Sequence, residues 1–148
     1  MKTLKTFVLT MTAAALLGST GLYAQEKAVA NIPFTFTVAD KTMPAGQYTI
    51  QSASRSTKGL VRVQSVANGE SAMVLASPSN ASYKTTEKVQ AKVVFHRYGD
   101  RYFFSEIWTA DGSLCGKATP TKLERETRSN SDDPKQMASI SIPVSVGR

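Results

Sequence analysis

The sequence predicts an all-β fold with one short helix, arranged as an antiparallel β-sandwich or a small β-barrel of about seven or eight strands. Apolar and polar residues alternate with a period of two at Ile32–Val38 and Ile140–Val146, as they do in half-buried strands. The turn pairs Asn68-Gly69 and Gly99-Asp100 each divide two apolar runs, as in β-hairpins. The chain of 148 residues is 41% hydrophobic, which suits one domain and excludes a disordered chain.

The first alternating segment predicts a strand with one apolar face. Pro33 lies on the opposite face and cannot donate a hydrogen bond, so the strand is expected at an edge or to begin at the proline. After a turn-rich segment, Tyr48 and Ile50 alternate with polar residues. A first antiparallel pair is therefore expected.

The Asn68-Gly69 pair predicts a hairpin with a type I′ turn, because both residues tolerate positive φ. In a two-residue turn Val63 faces Val74. One face of this hairpin then carries Val61, Val63, Ala72, Val74 and Ala76. The other face mixes polar residues with Leu60, Val66, Met73 and Leu75.

An aromatic hairpin is predicted around Gly99-Asp100, since six aromatic residues lie between Phe95 and Trp108. With glycine first in a type II′ turn, Phe95 opposes Phe104. The face of Phe95 then holds Arg97, Tyr102, Phe104, Glu106 and Trp108, and the other face holds His96, Tyr98, Phe103 and Ile107. Both faces are largely apolar, which predicts a central hairpin.

The C-terminal part predicts one helix and a last strand. Thr121 and Glu124 form the Thr-x-x-Glu spacing of a capping box, so a short helix is expected near 120–126. Residues 129–136 are predicted to be a polar linker. Ile140–Val146 then forms a strand, placed at an edge because of Pro143. The predicted domain spans residues 25–148.

Residues 1–24 have the three-part order of a secretory signal peptide. Lys2 and Lys5 precede the apolar segment Phe7–Leu17, and small residues lead to a predicted cut between Ala24 and Gln25. The apolar segment is about 16 Å long as a helix, roughly half a bilayer core, so it is too short for a permanent anchor. We expect a cleaved leader and a periplasmic or extracellular protein that is not integral to a membrane.

Net charge and cysteine content argue against several classes of function. Loss of Lys2 and Lys5 with the leader lowers the net charge from +7 to +5, and the remaining cations are scattered rather than clustered. Nucleic-acid binding is therefore not expected. The single cysteine, Cys115, excludes a disulfide scaffold and a multi-thiolate metal site within the chain. A small buried hydrophobe is the favoured role for Cys115, with an intermolecular disulfide or a reactive thiol as alternatives.

Two longer stretches resemble a group of small exported bacterial proteins of uncharacterised activity. They are IPFTFTVADKTMPAGQYTI and AKVVFHRYGDRYFFSEIW, and the segment TKLERE extends the similarity, so that it covers most of residues 32–126. The resemblance implies an exported β-rich domain and no particular activity. The shorter stretch MPAGQY also resembles a turn of transthyretin-like and adhesin β-sandwich modules, which supports the fold class alone.

Catalysis is not predicted. Nucleophilic catalysis needs an activated Ser or Cys beside a base, and the chain has one histidine, His96, and no Gly-x-Ser-x-Gly elbow. The predicted pairing separates His96 from Glu106, and Asp100 reaches it only if the turn folds back. No cofactor, metal site or catalytic residue is expected, and a hydrolase is kept as a remote alternative.

Two non-catalytic functions remain. The favoured one is an envelope or secreted module that binds another protein through a sheet face or edge. The alternative is a carbohydrate or small-ligand site on the aromatic hairpin. Its candidate residues are His96, Arg97, Tyr98, Tyr102 and Trp108. The identity of the partner or glycan and the oligomeric state stay open.

Overall fold

The computed structural model describes residues 27–78, 90–109, 114–131 and 137–147. Ten strands and one helix lie within these ranges: β1 Lys27–Ile32, β2 Phe36–Val38, β3 Lys41–Met43, β4 Gly46–Ser52, β5 Leu60–Ser65, β6 Ser71–Pro78, β7 Lys92–Tyr98, β8 Arg101–Trp108, β9 Cys115–Ala118, α1 Lys122–Ser129 and β10 Met137–Gly147. The predicted leader lies outside the described residues, as does most of the predicted linker. Ser129, which the linker was expected to include, is the last residue of α1.

Eight of the strands close into an antiparallel barrel, which confirms the barrel alternative of the predicted fold. Their order is β8-β7-β10-β1-β4-β5-β6-β9, and β9 pairs back onto β8. The short β2–β3 hairpin lies beside this ring, with β2 parallel to β8 where Thr37 meets Phe103. No helix within the described ranges is both long and apolar enough to cross a membrane.

Two strands form corners of the barrel by changing partners along their length. β10 pairs with β7 up to Pro143 and with β1 from Val144 onward. β6 pairs with β5 as far as Leu75 and with β9 from Ala76 onward. The predicted edge position of the last strand is therefore wrong. Proline lacks a backbone N–H to donate to a neighbouring strand. Pro143 is tolerated within the barrel because it lies where β10 stops pairing with β7 and begins pairing with β1.

The segment predicted as one strand at Ile32–Val38 is divided in the structure. Ile32 ends β1 and Phe36 begins β2, with Pro33 between them. The alternation still predicts burial, since Ile32, Phe36 and Val38 are at most 1% exposed. The predicted pairing with the Tyr48 segment is made by β1, where Ala30 lies opposite Tyr48.

Side chains fill the inside of the barrel. Its largest inward residues are almost completely inaccessible, at 0% exposure for Ile32, Tyr48, Ile50, Val63, Val93, Phe95 and Ile107. Small residues lie beside large ones, as Ala30 does beside Tyr48, and this is how a narrow barrel reaches the packing density of a protein core. The interior is therefore a hydrophobic core.

The β5–β6 hairpin has the predicted faces and a different register. Val63 pairs with Ala72 instead of Val74, because the backbone N–H of Ser65 donates to the backbone oxygen of Glu70 and the turn is longer than two residues. A register shift of two leaves each side chain on its original face. The predicted inward set is buried, at 8% exposure or less: Val61, Val63, Ala72, Val74 and Ala76.

The aromatic hairpin has the predicted register near its turn and a β-bulge further along. Phe95 pairs with Phe104 as predicted, but Val94 pairs with Glu106, so Ser105 is the extra residue on β8. Because a bulge reverses the alternation beyond it, Ile107 points into the core and Glu106 lies on the outer face with Trp108. The face predicted for these last three residues is wrong for this reason.

Candidate functional site

Helix α1 lies against the outer face of the β7–β8 hairpin. Its N-cap is Thr121, whose hydroxyl accepts a hydrogen bond from the backbone N–H of Glu124 at 3.2 Å. This is half of the predicted capping box. The carboxylate of Glu124 turns away from the cap and reaches the barrel, where it is the buried residue of the helix.

Four side chains form a hydrogen-bonded relay centred on His96, which we call the His96 relay. His96 Nδ1 lies 2.9 Å from Glu124 Oε1, and His96 Nε2 lies 2.9 Å from Ser105 Oγ. The Tyr98 hydroxyl donates to the same Glu124 oxygen at 3.3 Å. The side chains of His96 and Glu124 are 12% and 6% exposed, and Ser105 is 2% exposed.

The hairpin geometry explains why these groups meet. His96 and Tyr98 are two residues apart on β7 and share its outer face. His96 pairs with Phe103 across the hairpin, and Ser105 follows two residues later on the same face of β8. The bulge at Ser105 lies at this point, so the strand bends where the relay forms.

The relay satisfies a buried carboxylate. The Glu124 carboxylate can accept hydrogen bonds from the Nδ1–H of His96 and from the Tyr98 hydroxyl, and His96 Nε2 then accepts a hydrogen bond from the Ser105 hydroxyl. Such partners offset part of the cost of taking a charge out of water. Burial, and after it the negative charge of Glu124, raise the pKa of Tyr98 above its ordinary value of 10.0.

The order of groups is that of a Ser–His–acid triad, but the location does not suit catalysis. A nucleophile must meet substrate, and Ser105 is almost inaccessible. The helix that provides Glu124 also lies over this face, anchored by Arg101 Nη1 donating to Thr127 Oγ1 at 3.1 Å. Moving α1 aside to admit a substrate would withdraw the acid of the triad. The arrangement therefore holds the helix on the barrel.

The five predicted ligand-binding residues do not form one surface. His96 and Tyr98 belong to the relay, and Tyr98 is 5% exposed. Arg97 and Tyr102 form a pair near the hairpin turn. Trp108 lies on the outer face at the far end of β8.

Tyr102 already has an aromatic partner from its own chain. Its ring is stacked on Phe34, with centroids 4.0 Å apart and an angle of 17° between the planes. The Arg97 guanidinium carbon lies 5.6 Å from the centroid of the Tyr102 ring. Arg97 Nε also donates to the backbone oxygen of Gly99 at 2.6 Å. A flat ligand would have to compete with these contacts.

Trp108 is half-buried beside a small charged group. Its indole Nε1 donates to Glu106 Oε2 at 3.0 Å, and Lys117 Nζ lies 3.6 Å from Glu106 Oε1. Cys115, opposite Trp108 on β9, is a half-buried free thiol. Within the described residues no three His, Cys, Asp or Glu side chains converge as metal ligands.

Sequence reasoning missed two members of the relay. The spacing of Thr121 and Glu124 predicts a role for Glu124 in the helix cap. This spacing does not indicate that the Glu124 carboxylate points to the barrel and bonds to His96. Ser105 lies on the face predicted for His96, but a single serine within an aromatic strand does not indicate a hydrogen bond to histidine. The sequence offers Glu106 and Asp100 as possible carboxylate partners for His96. In the structure Glu106 pairs with Lys117, and Asp100 pairs with Arg97.

The outer face of β5 and β6 carries exposed apolar side chains. Met73 and Leu75 are 48% and 54% exposed and follow each other on the outer face of β6. Leu60, half-buried, lies opposite Leu75, and Arg62 lies opposite Met73. We call Leu60, Met73 and Leu75 the outer apolar patch.

Comparison with protein-family models, with curated proteins and with solved structures finds no significant match for this chain.

Proposed function

We propose that the protein is an exported, non-catalytic β-barrel that binds another protein through its outer surface. The observation that carries the proposal is the outer apolar patch, where Met73 and Leu75 are about half exposed side by side. Single exposed apolar residues are common on soluble proteins, but adjacent ones are typical of interaction sites.

The filled interior supports a function on the outside of the barrel. Barrels that carry small molecules keep a cavity in their interior, inside the ring of strands. Here the inward side chains pack against one another, and Tyr48, Phe95 and Ile107 are each 0% exposed. A ligand has to meet the outer surface instead.

The surroundings of the outer apolar patch suggest the chemistry of the partner. Arg62 lies directly across from Met73. Lys117, whose exposed ammonium also lies 3.6 Å from Glu106 Oε1, is opposite Ser77, just beyond Leu75. This basic margin fits a protein partner with an apolar centre and carboxylates at its rim.

The His96 relay supports the non-catalytic part of the proposal, because its serine is covered and its acid belongs to the covering helix. The signal peptide pattern supports export. N-terminal sequencing of the mature protein from the producing cells is expected to begin at Gln25. An intact Met1 on cytosolic protein would contradict export without affecting the outer apolar patch.

Site-specific photo-crosslinking tests the binding surface. We expect Met73→p-benzoylphenylalanine to crosslink to one defined protein in the producing cells. The same substitution at Glu126, exposed on α1, is the matched control and should give no such product. Leu75→Ser in the same chain, and added salt, should both weaken the crosslink at position 73, since the first removes apolar area and the second screens the basic margin.

Two results would count against this proposal. Equal products from positions 73 and 126 would indicate nonspecific contact. A crosslink that joins two copies of this chain, with matching dimers in light scattering, would identify self-association instead of a different partner.

A further inference from the structure

We propose that α1 is a displaceable latch, held on the barrel by the Glu124 carboxylate and able to leave it while the barrel stays folded. This inference concerns the motion of one element and does not depend on the proposed binding surface.

The composition of α1 is the first argument. A short helix normally docks through an apolar stripe, because its intrinsic stability in water is marginal. The helix KLERETRS has one large apolar residue, Leu123, which is half-buried. Its buried residue is Glu124, at 5% exposure. The attachment of α1 therefore depends on polar contacts to an unusual degree.

The distribution of these contacts is the second argument. Within the described ranges, three side-chain hydrogen bonds join α1 to β7 and β8: Glu124 to His96, Glu124 to Tyr98, and Arg101 to Thr127. Two of the three end on a single carboxylate oxygen. Other polar side chains of the helix bond locally, as Ser129 does to the backbone oxygen of Arg125 and Arg125 does to that of Pro120. The Glu124 carboxylate thus makes two of the three side-chain hydrogen bonds that attach α1 to β7 and β8.

The position of the relay relative to the core is the third argument. The hydrophobic core lies inside the barrel and contains Val93, Phe95, Phe104 and Ile107 from the hairpin. His96, Tyr98 and Ser105 lie on the opposite face. Loss of the carboxylate leaves the inner packing intact, so the expected consequence is a local opening rather than global unfolding.

Opening uncovers a defined group of side chains. Tyr98, whose ring lies 5.8 Å from that of Phe103, loses its hydroxyl partner. His96 keeps Ser105 on Nε2 and presents Nδ1 where Glu124 was. The latch therefore covers an imidazole and an aromatic surface that become accessible together.

Native-state hydrogen exchange of the full mature chain tests the latch. The variant is Glu124→Gln, which keeps the shape of the side chain and removes its charge. Glu126→Gln is the matched control, because Glu126 lies on the same helix, is 57% exposed and pairs only weakly with Lys122 at 3.7 Å. We expect the amides of residues 125–129 to exchange about tenfold faster or more in Glu124→Gln and within about twofold of wild type in Glu126→Gln.

The barrel amides decide between a latch and a general weakening. Exchange at Val93–Phe95 should be unchanged in Glu124→Gln. Unchanged exchange in α1, or an equal increase in α1 and in β7, would overturn the proposal.

The wild-type protein gives a second test that needs no variant. The opening of α1 should depend less on denaturant concentration than the opening of β7, because it exposes less surface. Identical denaturant dependence for both elements would show that α1 opens only with the whole barrel, and would also overturn the proposal.

Discussion

Gly116 on β9 packs against Ala76 on β6 so closely that a Cβ atom on the glycine would lie 2.9 Å from the Cβ of Ala76. The same atom would lie 3.0 Å from the backbone oxygen of Ser77. Ala76 is where β6 exchanges β5 for β9, so this contact is part of barrel closure. Gly59 approaches Ala76 as well, with its backbone oxygen accepting from the Ala76 N–H at 2.8 Å. Small residues at such corners let strands bend and change partners.

Gly116→Ala is expected to lower the free energy of unfolding by about 1–3 kcal/mol. The new methyl group would press on Ala76 and on the backbone oxygen of Ser77, and neither can move easily at this corner of the barrel. Denaturant titration followed by Trp108 fluorescence measures the change. Gly69→Asn serves as a control, since a Cβ at Gly69 meets nothing within 4 Å and asparagine tolerates its φ of 72°. If Gly116→Ala were no more destabilising than Gly69→Asn, close packing at Ala76 would not matter for closure.

The turn between β2 and β3 contains strain that can be relieved. Val38 pairs with Lys41, and the two turn residues Ala39 and Asp40 have φ values of 47° and 66°. Two positive values define a type I′ turn, which favours Asn-Gly. The double substitution Ala39→Asn with Asp40→Gly is expected to stabilise the protein by about 1 kcal/mol. A thermal melt measures the gain, and Ala39→Val is the matched opposite change, which should destabilise. A fall in melting temperature for the Asn-Gly variant would contradict the assigned turn.

The stack of Phe34 on Tyr102 predicts a measurable coupling between a connecting segment and the hairpin. A double-mutant cycle with Phe34→Ala and Tyr102→Ala should give a coupling of about 0.5–1.5 kcal/mol, as for other aromatic pairs. The control cycle combines Phe34→Ala with Val66→Ala, because Val66 is 56% exposed and lies outside the core cluster. Its coupling should be close to zero. Strict additivity of the first cycle would show that the two rings contribute independently.

Local patterns in the sequence predict much of the barrel. Period-two alternation correctly places Val61 and Val63 inside, and the glycine at position 99 correctly sets the pairing of Phe95 with Phe104. The same alternation is compatible with a sandwich and with a barrel. The choice depends on β9 meeting both β6 and β8, which is a long-range contact that no local pattern encodes.

The sequence alone could not predict the His96 relay, for a related reason. Ser105 shares the outer face with His96 by simple alternation, but Glu124 reaches His96 only because α1 packs over β7. The sequence separation of His96 and Glu124 is 28 residues. A capping-box pattern identifies the backbone role of Glu124 correctly, but the destination of its carboxylate depends on tertiary packing.

Alkaline pH should weaken the contribution of Tyr98 to stability. Burial and the Glu124 carboxylate raise the pKa of Tyr98 in the folded protein above 10.0. The unfolded chain then loses the phenolic proton first, so the stabilisation is complete below about pH 10 and is lost as the pH rises through the folded pKa.

Tyr98→Phe removes this titration together with the hydrogen bond to Glu124. Near pH 8 the variant should be less stable than wild type by about 0.5–1.5 kcal/mol, the usual worth of such a bond. Between pH 8 and 11 that gap should narrow, as measured by urea titrations at each pH. Lysine and arginine residues are the same in both proteins, so their titration cancels in the difference. A gap that stays constant or widens would show that the Tyr98 hydroxyl is not held in its neutral form by the folded structure.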